Sequence, residues 1–291
     1  MKLDANPLVS IAETVPFCEG ARSLPVRGTR GGRVFSGQDW VAEEVPVALE
    51  FNGISHAVML ATPLDLEDFA LGFSLSEGIL DDAHELYSVE EEQSALGITL
   101  HLQVASAAFA RLKDRRRSMT GRTGCGLCGT ESLGQVCRSL PPISAPGRFN
   151  HAAIERAMGQ FRALQTLQQS TGAVHAAAWC TGDGEVLWLR EDVGRHNALD
   201  KLIGALSHND VDAGTGFIAV TSRASFEMVQ KTAMAGVSML AAVSAPTSLA
   251  VSTAQNAGIT LVGFARQQDL VVYAHSERLA LATPAEALHA H

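Results

Sequence analysis

The apolar positions of this 291-residue chain follow two patterns, and the change from one to the other divides the chain. From Val45 to Leu60 apolar and polar residues alternate around Asn52-Gly53, a pair suited to the positive φ angles of a tight turn, which predicts a β-hairpin. Leu66, Phe69, Ala70 and Phe73 then recur at i, i+3, i+4 and i+7, predicting a helix with Asp65 as its N-cap. Ile98 to Val104 reads as a further strand. These elements define a small α+β unit over residues 26–110, preceded by a loose, aperiodic arm over residues 1–25.

Beyond residue 150 helices and strands alternate. "HAAIERAMGQFRALQTLQQSTG" predicts one helix stopped at Gly172, and "AVHAAAWC" with "EVLWLRED" predicts paired strands turned at "TGDGE". "GRHNALDKLIGAL" is a helix with Leu199, Leu202, Ile203 and Leu206 as its apolar stripe. Strands "GFIAVTS", "SMLAAVSA" and "ITLVGFAR" follow, separated by helices "SFEMVQKTAMAG" and "TSLAVSTAQNAG", and "DLVVYA" adds a strand antiparallel to the last. Repeated βαβ units imply a partly parallel sheet covered by helices, so the fold class is α/β with residues 150–291 as the larger domain. Residues 111–149, basic and then rich in Pro and Gly, read as a mobile loop region between the two units.

A sheet of this kind gathers ligands beyond the carboxyl ends of its strands. Those ends read "REDVGRHN", "TSRAS", "SAPTS" and "GFARQ". Arginine stands in three of them, and hydroxyl or amide residues open the following helices, whose N-termini favour anions. Any one of Thr221, Ser222, Thr247 and Ser248 is adequately explained as a helix cap. The convergence of four such loops predicts a crevice for a phosphate-bearing ligand, with Arg195, His196, Arg223 and Thr247 as candidate contacts. No GxGxxG or GxxxxGK[ST] run is present, so neither the dinucleotide fingerprint nor a P-loop is supported. His196 serves equally as phosphate contact or local backbone partner. His175 reads as a core histidine, Asp192 as a cap or a partner of Arg195, and Met228, Met234 and Met239 as core.

Charge sharpens the picture at one place. The chain carries a net charge of −9, which argues against nucleic acid as a partner, yet Arg111 to Arg122 holds six of the 22 basic residues. Directly after them, Cys125 and Cys128 form a CxxC among Gly124, Gly126 and Gly129. The five cysteines, with one tight pair, fit a reducing cytoplasm, and neither a signal peptide nor a membrane span is expected. Structural zinc needs four ligands, and no second CxxC exists; Cys18, Cys137 and Cys180 are scattered, the last two reading as small hydrophobes. No metal is therefore expected. A thiolate favoured by nearby arginines on a glycine-rich loop suits either disulfide exchange or persulfide carriage, and the residues alone leave both open.

In combination, "FNG" at Phe51 to Gly53, "PLDLEDFALGFSLSEGI" at Pro63 to Ile79 and "CGLCG" at Cys125 to Gly129 resemble the FdhD family of formate dehydrogenase accessory sulfurtransferases. "REDVGRHNALDKLIG" at Arg190 to Gly204, "SRASFEMVQK" at Ser222 to Lys231, "APTSLA" at Ala245 to Ala250 and "GITLVGFAR" at Gly258 to Arg266 extend the resemblance. It implies a homodimer with a cytidine-deaminase-like α/β core. The function implied is a sulfur carrier that accepts sulfur from a cysteine desulfurase as a persulfide. That sulfur then passes to the Mo-bis-molybdopterin guanine dinucleotide cofactor, before the cofactor enters formate dehydrogenase. By the same resemblance Cys125 bears the persulfide, Cys128 relays or resolves it, and Phe264, Ala265, Arg266, Gln267, Gln268 and Asp269 contact the cofactor. Ser222 departs from the glycine usual at that place in the family. The alternative is a molybdenum-cofactor-binding chaperone without sulfur chemistry, its CxxC clamping a metal or a partner.

Overall fold

Alternation that buries only one face of a strand needs a partner layer, and the chain supplies it with three layers of helices. The computed structural model describes residues 18–120, 140, 143 and 147–281. Strands β1 (Ala21–Arg30) and β2 (Arg33–Ala42) make a separate two-stranded ribbon, turned at Gly31-Gly32, where φ is 59° and 77°. β1 begins inside the segment read as a loose arm, so that arm ends sooner than residue 25. The ribbon escapes the sequence pattern because most of its residues are exposed on both faces.

Strands β3 (Val45–Phe51) and β4 (Ile54–Ala61) turn at Asn52-Gly53, with φ of 45° and 81°. The Asn52 side chain also exchanges two hydrogen bonds with the Val104 backbone, which ties the turn to the end of its neighbouring strand. Helix α1 (Leu66–Ser76) and strands β5 (Leu86–Ser94) and β6 (Gly97–Val104) complete a sheet of order β4-β3-β6-β5. Asp65 stands at the N-cap of α1 with φ 52° but makes no capping bond; its carboxylate lies 3.4 Å from Arg190 Nε instead. The basic run is not loop at its start. Helix α2 (Ser106–Thr120) carries it, anchored by buried Ala108 and Leu112 and by an ion pair of Arg111 with Glu85.

β7 (Phe149–Asn150) leads into α3 (His151–Leu164) and α4 (Thr166–Thr171), two helices where the sequence pattern predicts one. The break at Gln165 lets Ile154, Ala157 and Phe161 face the large sheet while Leu167 turns to Ala21 and Val174 at the ribbon's base. Glu191 restarts the helix by accepting hydrogen bonds from the Leu167 and Gln168 amides, both 2.9 Å. Gly172 ends it with φ 67°.

The elements that follow are β8 (His175–Thr181), β9 (Val186–Asp192), α5 (Arg195–His208), β10 (Gly216–Val220), α6 (Phe226–Met234), β11 (Met239–Ala242), α7 (Ser248–Ala257), β12 (Thr260–Arg266), β13 (Asp269–Ala274) and β14 (Leu279–Ala280). The large sheet runs β13-β12-β11-β10-β8-β9, with β10, β11 and β12 parallel and the outer strands antiparallel, as the sequence predicts for "DLVVYA". β10 and β11 are buried throughout, which is why they read as continuous apolar runs. α3 covers one face of this sheet, and α5, α6 and α7 cover the other.

α1 lies between the small sheet and α5, and so is buried well beyond the stripe that its spacing predicts. Its approach to α5 depends on two glycines. A Cβ at Gly72 would stand 1.7 Å from the Asp200 carbonyl oxygen, and one at Gly204 would stand 1.9 Å from that of Asp68. The two units therefore meet backbone to backbone, and the small unit is part of the α/β body. Among the described residues no helix is long and apolar enough to cross a membrane.

Candidate functional site

The hydroxyl residues at the strand ends turn out to hold the scaffold. Thr247 caps α7 by accepting from the Ala250 amide at 3.3 Å, and Thr221 Oγ1 accepts from the Ala176 amide at 2.9 Å, joining β10 to β8. Ser222 is buried and donates to the Arg223 carbonyl at 3.0 Å. Arg223 is exposed on the loop that follows.

An open cleft of about 660 Å³ lies where the ends of β10, β11 and β12 meet the α3–α4 elbow. Met158, Phe161 and Val243 make its apolar wall, and Arg162, Gln165, Gln168, Gln169 and Thr221 line its polar side. Ala265, Arg266 and Gln267 close it from the β12–β13 turn. Arg266 donates from Nε to the Val243 carbonyl at 2.8 Å, which fixes the side chain, and among the described residues no hydrogen bond engages its terminal nitrogens. A second cavity of about 410 Å³, edged by His175, shares Gln165, Gln168 and Thr221, so the two form one continuous recess. Two arginines and several amides beside a patch of apolar surface suit a ligand with an anionic group and a flat heteroaromatic part.

The turn itself is irregular. The β12–β13 register shifts between Gly263 and Arg266, and Phe264 and Gln267 hold φ of 53° and 50°. Left-handed backbone at a non-glycine residue persists only where the surroundings enforce it, and here it sits on the rim of the cleft. Phe264 is partly exposed beside the cleft and does not line it. Gln268 offers its carbonyl to His151 Nε2 at 2.8 Å, and Asp269 stands opposite Arg266 in the strand register across the turn. Of the six consecutive residues expected to contact a cofactor, the structure thus brings Ala265, Arg266 and Gln267 into the recess. Arg162, Gln165, Gln168 and Gln169 were missed. Their signal lay in an amphipathic helix with an unexplained run of glutamines.

Arg195 and His196 open α5, which packs on the other face of the sheet, and neither lines this cleft, although the Arg195 charge reaches His175 at the edge of the smaller cavity. Arg195 Nε and His196 Nε2 are buried without a hydrogen-bond partner among the described residues, and the Glu227 carboxylate stands 3.8 Å from His196 Nε2. Burial, reinforced by the Arg195 charge, pushes the His196 pKa down to about 4, so the ring is neutral at pH 7. His175 is lowered for the same two reasons. It is also less enclosed than a core histidine, being only partly buried at the edge of the smaller cavity.

The remaining charges of "REDVGRHNALDK" are structural. Asp192 is fully buried and pairs with Lys201 at 2.7 Å rather than with Arg195. It also accepts from the Thr62, Gly194 and Asn197 nitrogens, at 3.0, 2.7 and 3.0 Å. Asp200 is buried and accepts from Ser76 Oγ at 2.6 Å and from Lys231 Nζ at 2.9 Å. Lys231 donates further to Glu77 at 2.9 Å; burial opposes its charge, but the Asp200 and Glu77 carboxylates outweigh that and hold its pKa above the ordinary lysine range. Cys180 is buried and its thiol is pushed up by burial, so it is no nucleophile. Met228 and Met239 are buried core, and Met234 is partly so. Cys125, Cys128 and Cys137 lie outside the described residues.

What these observations define is a mixed α/β protein with an arginine-lined recess at the carboxyl ends of its parallel strands. The model of the FdhD/NarQ family matches residues 42–280, and the chain belongs to that family. It is 65% identical over 266 residues to the sulfur carrier protein FdhD of Variovorax paradoxus, an alignment covering 91% of this chain and 96% of the other. The sulfur carrier protein FdhD of Cupriavidus necator is 57% identical over 273 residues, covering 92% and 95%. A crystal structure of a proposed formate dehydrogenase accessory protein from Desulfotalea psychrophila shares the fold with a TM-score of 0.71 at 23% identity, covering 89% of this chain and 99% of that one.

Proposed function

We propose that this protein carries sulfur as a persulfide on Cys125. The Cys125 thiolate attacks the terminal sulfur of a cysteine desulfurase persulfide; a new S–S bond forms as the donor's breaks, and the donor cysteine leaves as a thiolate. Cys128 relays or resolves the sulfur. The recipient is Mo-bis-molybdopterin guanine dinucleotide, held as cargo before it enters formate dehydrogenase, and the protein works as a cytoplasmic homodimer with a cytidine-deaminase-like core.

The observation that carries this reading is 65% identity, over nine-tenths of the chain, to a protein named as a sulfur carrier. Chemistry supports it at both ends of the transfer. Arg115, Arg116, Arg117 and Arg122 lie close in sequence to Cys125 and favour its thiolate. Arg162 and Arg266 suit the pyrophosphate of the cargo, and the glutamines beside them offer donors and acceptors to a nucleobase.

Intact mass spectrometry after incubation with a cysteine desulfurase and cysteine tests the proposal. Gain of one sulfur atom, reversed by reductant and absent from Cys125→Ala, is the expected result. No gain on folded, reduced protein with a competent donor would transfer the assignment to a cofactor-binding chaperone.

A further inference from the structure

The ribbon of β1 and β2 is built unlike the rest of the chain. Four arginines and one aspartate make it cationic within a protein of net charge −9. Among the described residues it enters the hydrophobic cores only at its base, through Ala21, Trp40 and Ala42. A lone two-stranded ribbon is marginally stable in water, and among the described residues neither of its edges is paired.

Its two faces differ. Directly paired residues of an antiparallel ribbon share a face. The register therefore sets Trp40 and Ala42, with Ser23 and Ala21, on the face that packs on α4. The opposite face collects Leu24, Val26, Phe35 and Val41, bordered by Arg22, Arg30 and Arg33, with the ribbon's single carboxylate, Asp39, directly across from Leu24, so three arginines stand there against one aspartate. Leu24 and Val41 are 40% and 43% exposed, and Arg30 lies over the Phe35 ring at 5.2 Å. Apolar residues mixed with arginine, on a face that no described residue covers, are the composition of a protein interface.

A complementary face exists on the same molecule. The four-stranded sheet packs its inner face on α1, and among the described residues nothing covers its outer face. By register that outer face runs from Leu60 and Pro46 through Val58 and Ala48 to Glu50, His101, Glu90 and Glu92. Val58 and Leu60 are 62% and 56% exposed, and His101 lies between Glu50 and Glu92 at 3.3 and 2.9 Å. One half is apolar and the other acidic.

We propose that the cationic face of the ribbon docks on the outer face of the four-stranded sheet of a second copy, reciprocally, about a two-fold axis. The inference rests on the homodimer in the reading above and names its surfaces. Leu24 and Val41 meet Val58 and Leu60, while Arg30 and Arg33 meet Glu90 and Glu92. Every residue invoked lies on a strand that is paired within the single chain, so substitutions there test association once folding is verified.

Sedimentation velocity on the full chain decides the matter. Wild type sediments as a dimer; Arg30→Glu with Arg33→Glu, or Glu90→Lys with Glu92→Lys, weakens the dimer at least about tenfold. Mixing the two doubly substituted proteins restores a dimer, because both crossed contacts then pair opposite charges. Arg30→Lys with Arg33→Lys keeps the wild-type state, and circular dichroism verifies that each variant is folded. Variants that stay dimeric overturn the proposed surfaces and leave the homodimer standing. A monomeric wild type overturns both, while the persulfide assignment is read separately by mass.

Discussion

The two faces of the large sheet put the same kinds of residue to opposite use. On the α5–α6 face, Asp192, Lys201, Asp200 and Lys231 are buried and paired. On the α3–α4 face, Arg162 and Arg266 line an open recess. A buried charge must be matched by a partner inside the protein, whereas a charge on a cleft wall is kept hydrated until a ligand arrives. Chemistry-bearing residue types are thus a poor guide to function until burial is known, and here the motif richest in them serves mainly to join α1, α5 and α6.

The largest test of that contrast is Lys231→Met. Asp200 would be left buried with Ser76 as its remaining partner, and chemical denaturation should show a loss of about 3–5 kcal/mol. Replacing Gly204 by Ala attacks the same crossing through sterics. The new Cβ meets the Asp68 carbonyl, so α1 and α5 must part, at a cost of about 1–3 kcal/mol by thermal melting.

A pH series sharpens the comparison. His196 titrates at about 4 when folded and near 6.5 when unfolded, so the unfolded chain takes up a proton that the folded chain refuses as pH falls through that window. Stability therefore drops toward acid, by about 2 kcal/mol between pH 7 and pH 5 from this residue. Urea midpoints of His196→Asn should lack that component. The smallest change in stability belongs to the cleft: Arg266→Ala should move it by no more than about 0.5 kcal/mol. Guanosine diphosphate binding, measured by calorimetry, should nevertheless weaken about tenfold as a charge-assisted contact is lost. Equal loss of stability from Arg266→Ala and Lys231→Met would erase the distinction between the two faces.

Much of the fold was legible because its signals are local. The Asn52-Gly53 turn, the stripe of Leu199, Leu202, Ile203 and Leu206, and the buried runs of β10 and β12 each declare themselves within a dozen residues. The ribbon did not, since strands exposed on both faces carry no alternation. The break at Gln165 escaped as well, because it answers to Glu191, which is distant in sequence. For the site, Ala265, Arg266 and Gln267 were readable from strand ends and from the family resemblance. Arg162 and the glutamines were not, because α3 and α4 reach the strand ends only when packed.

By itself the sequence determined the order of helices and strands, the α/β class, the cysteine pair and the family. The reason is that hydrogen-bonding periodicity and short motifs are properties of neighbouring residues. Tertiary structure alone decided that Asp192 pairs with Lys201, that Gly72 and Gly204 let two helices touch, and that His196 is buried and neutral at the start of α5. Those outcomes depend on burial and on partners brought together from distant parts of the chain, and a residue's charge state and task follow from them.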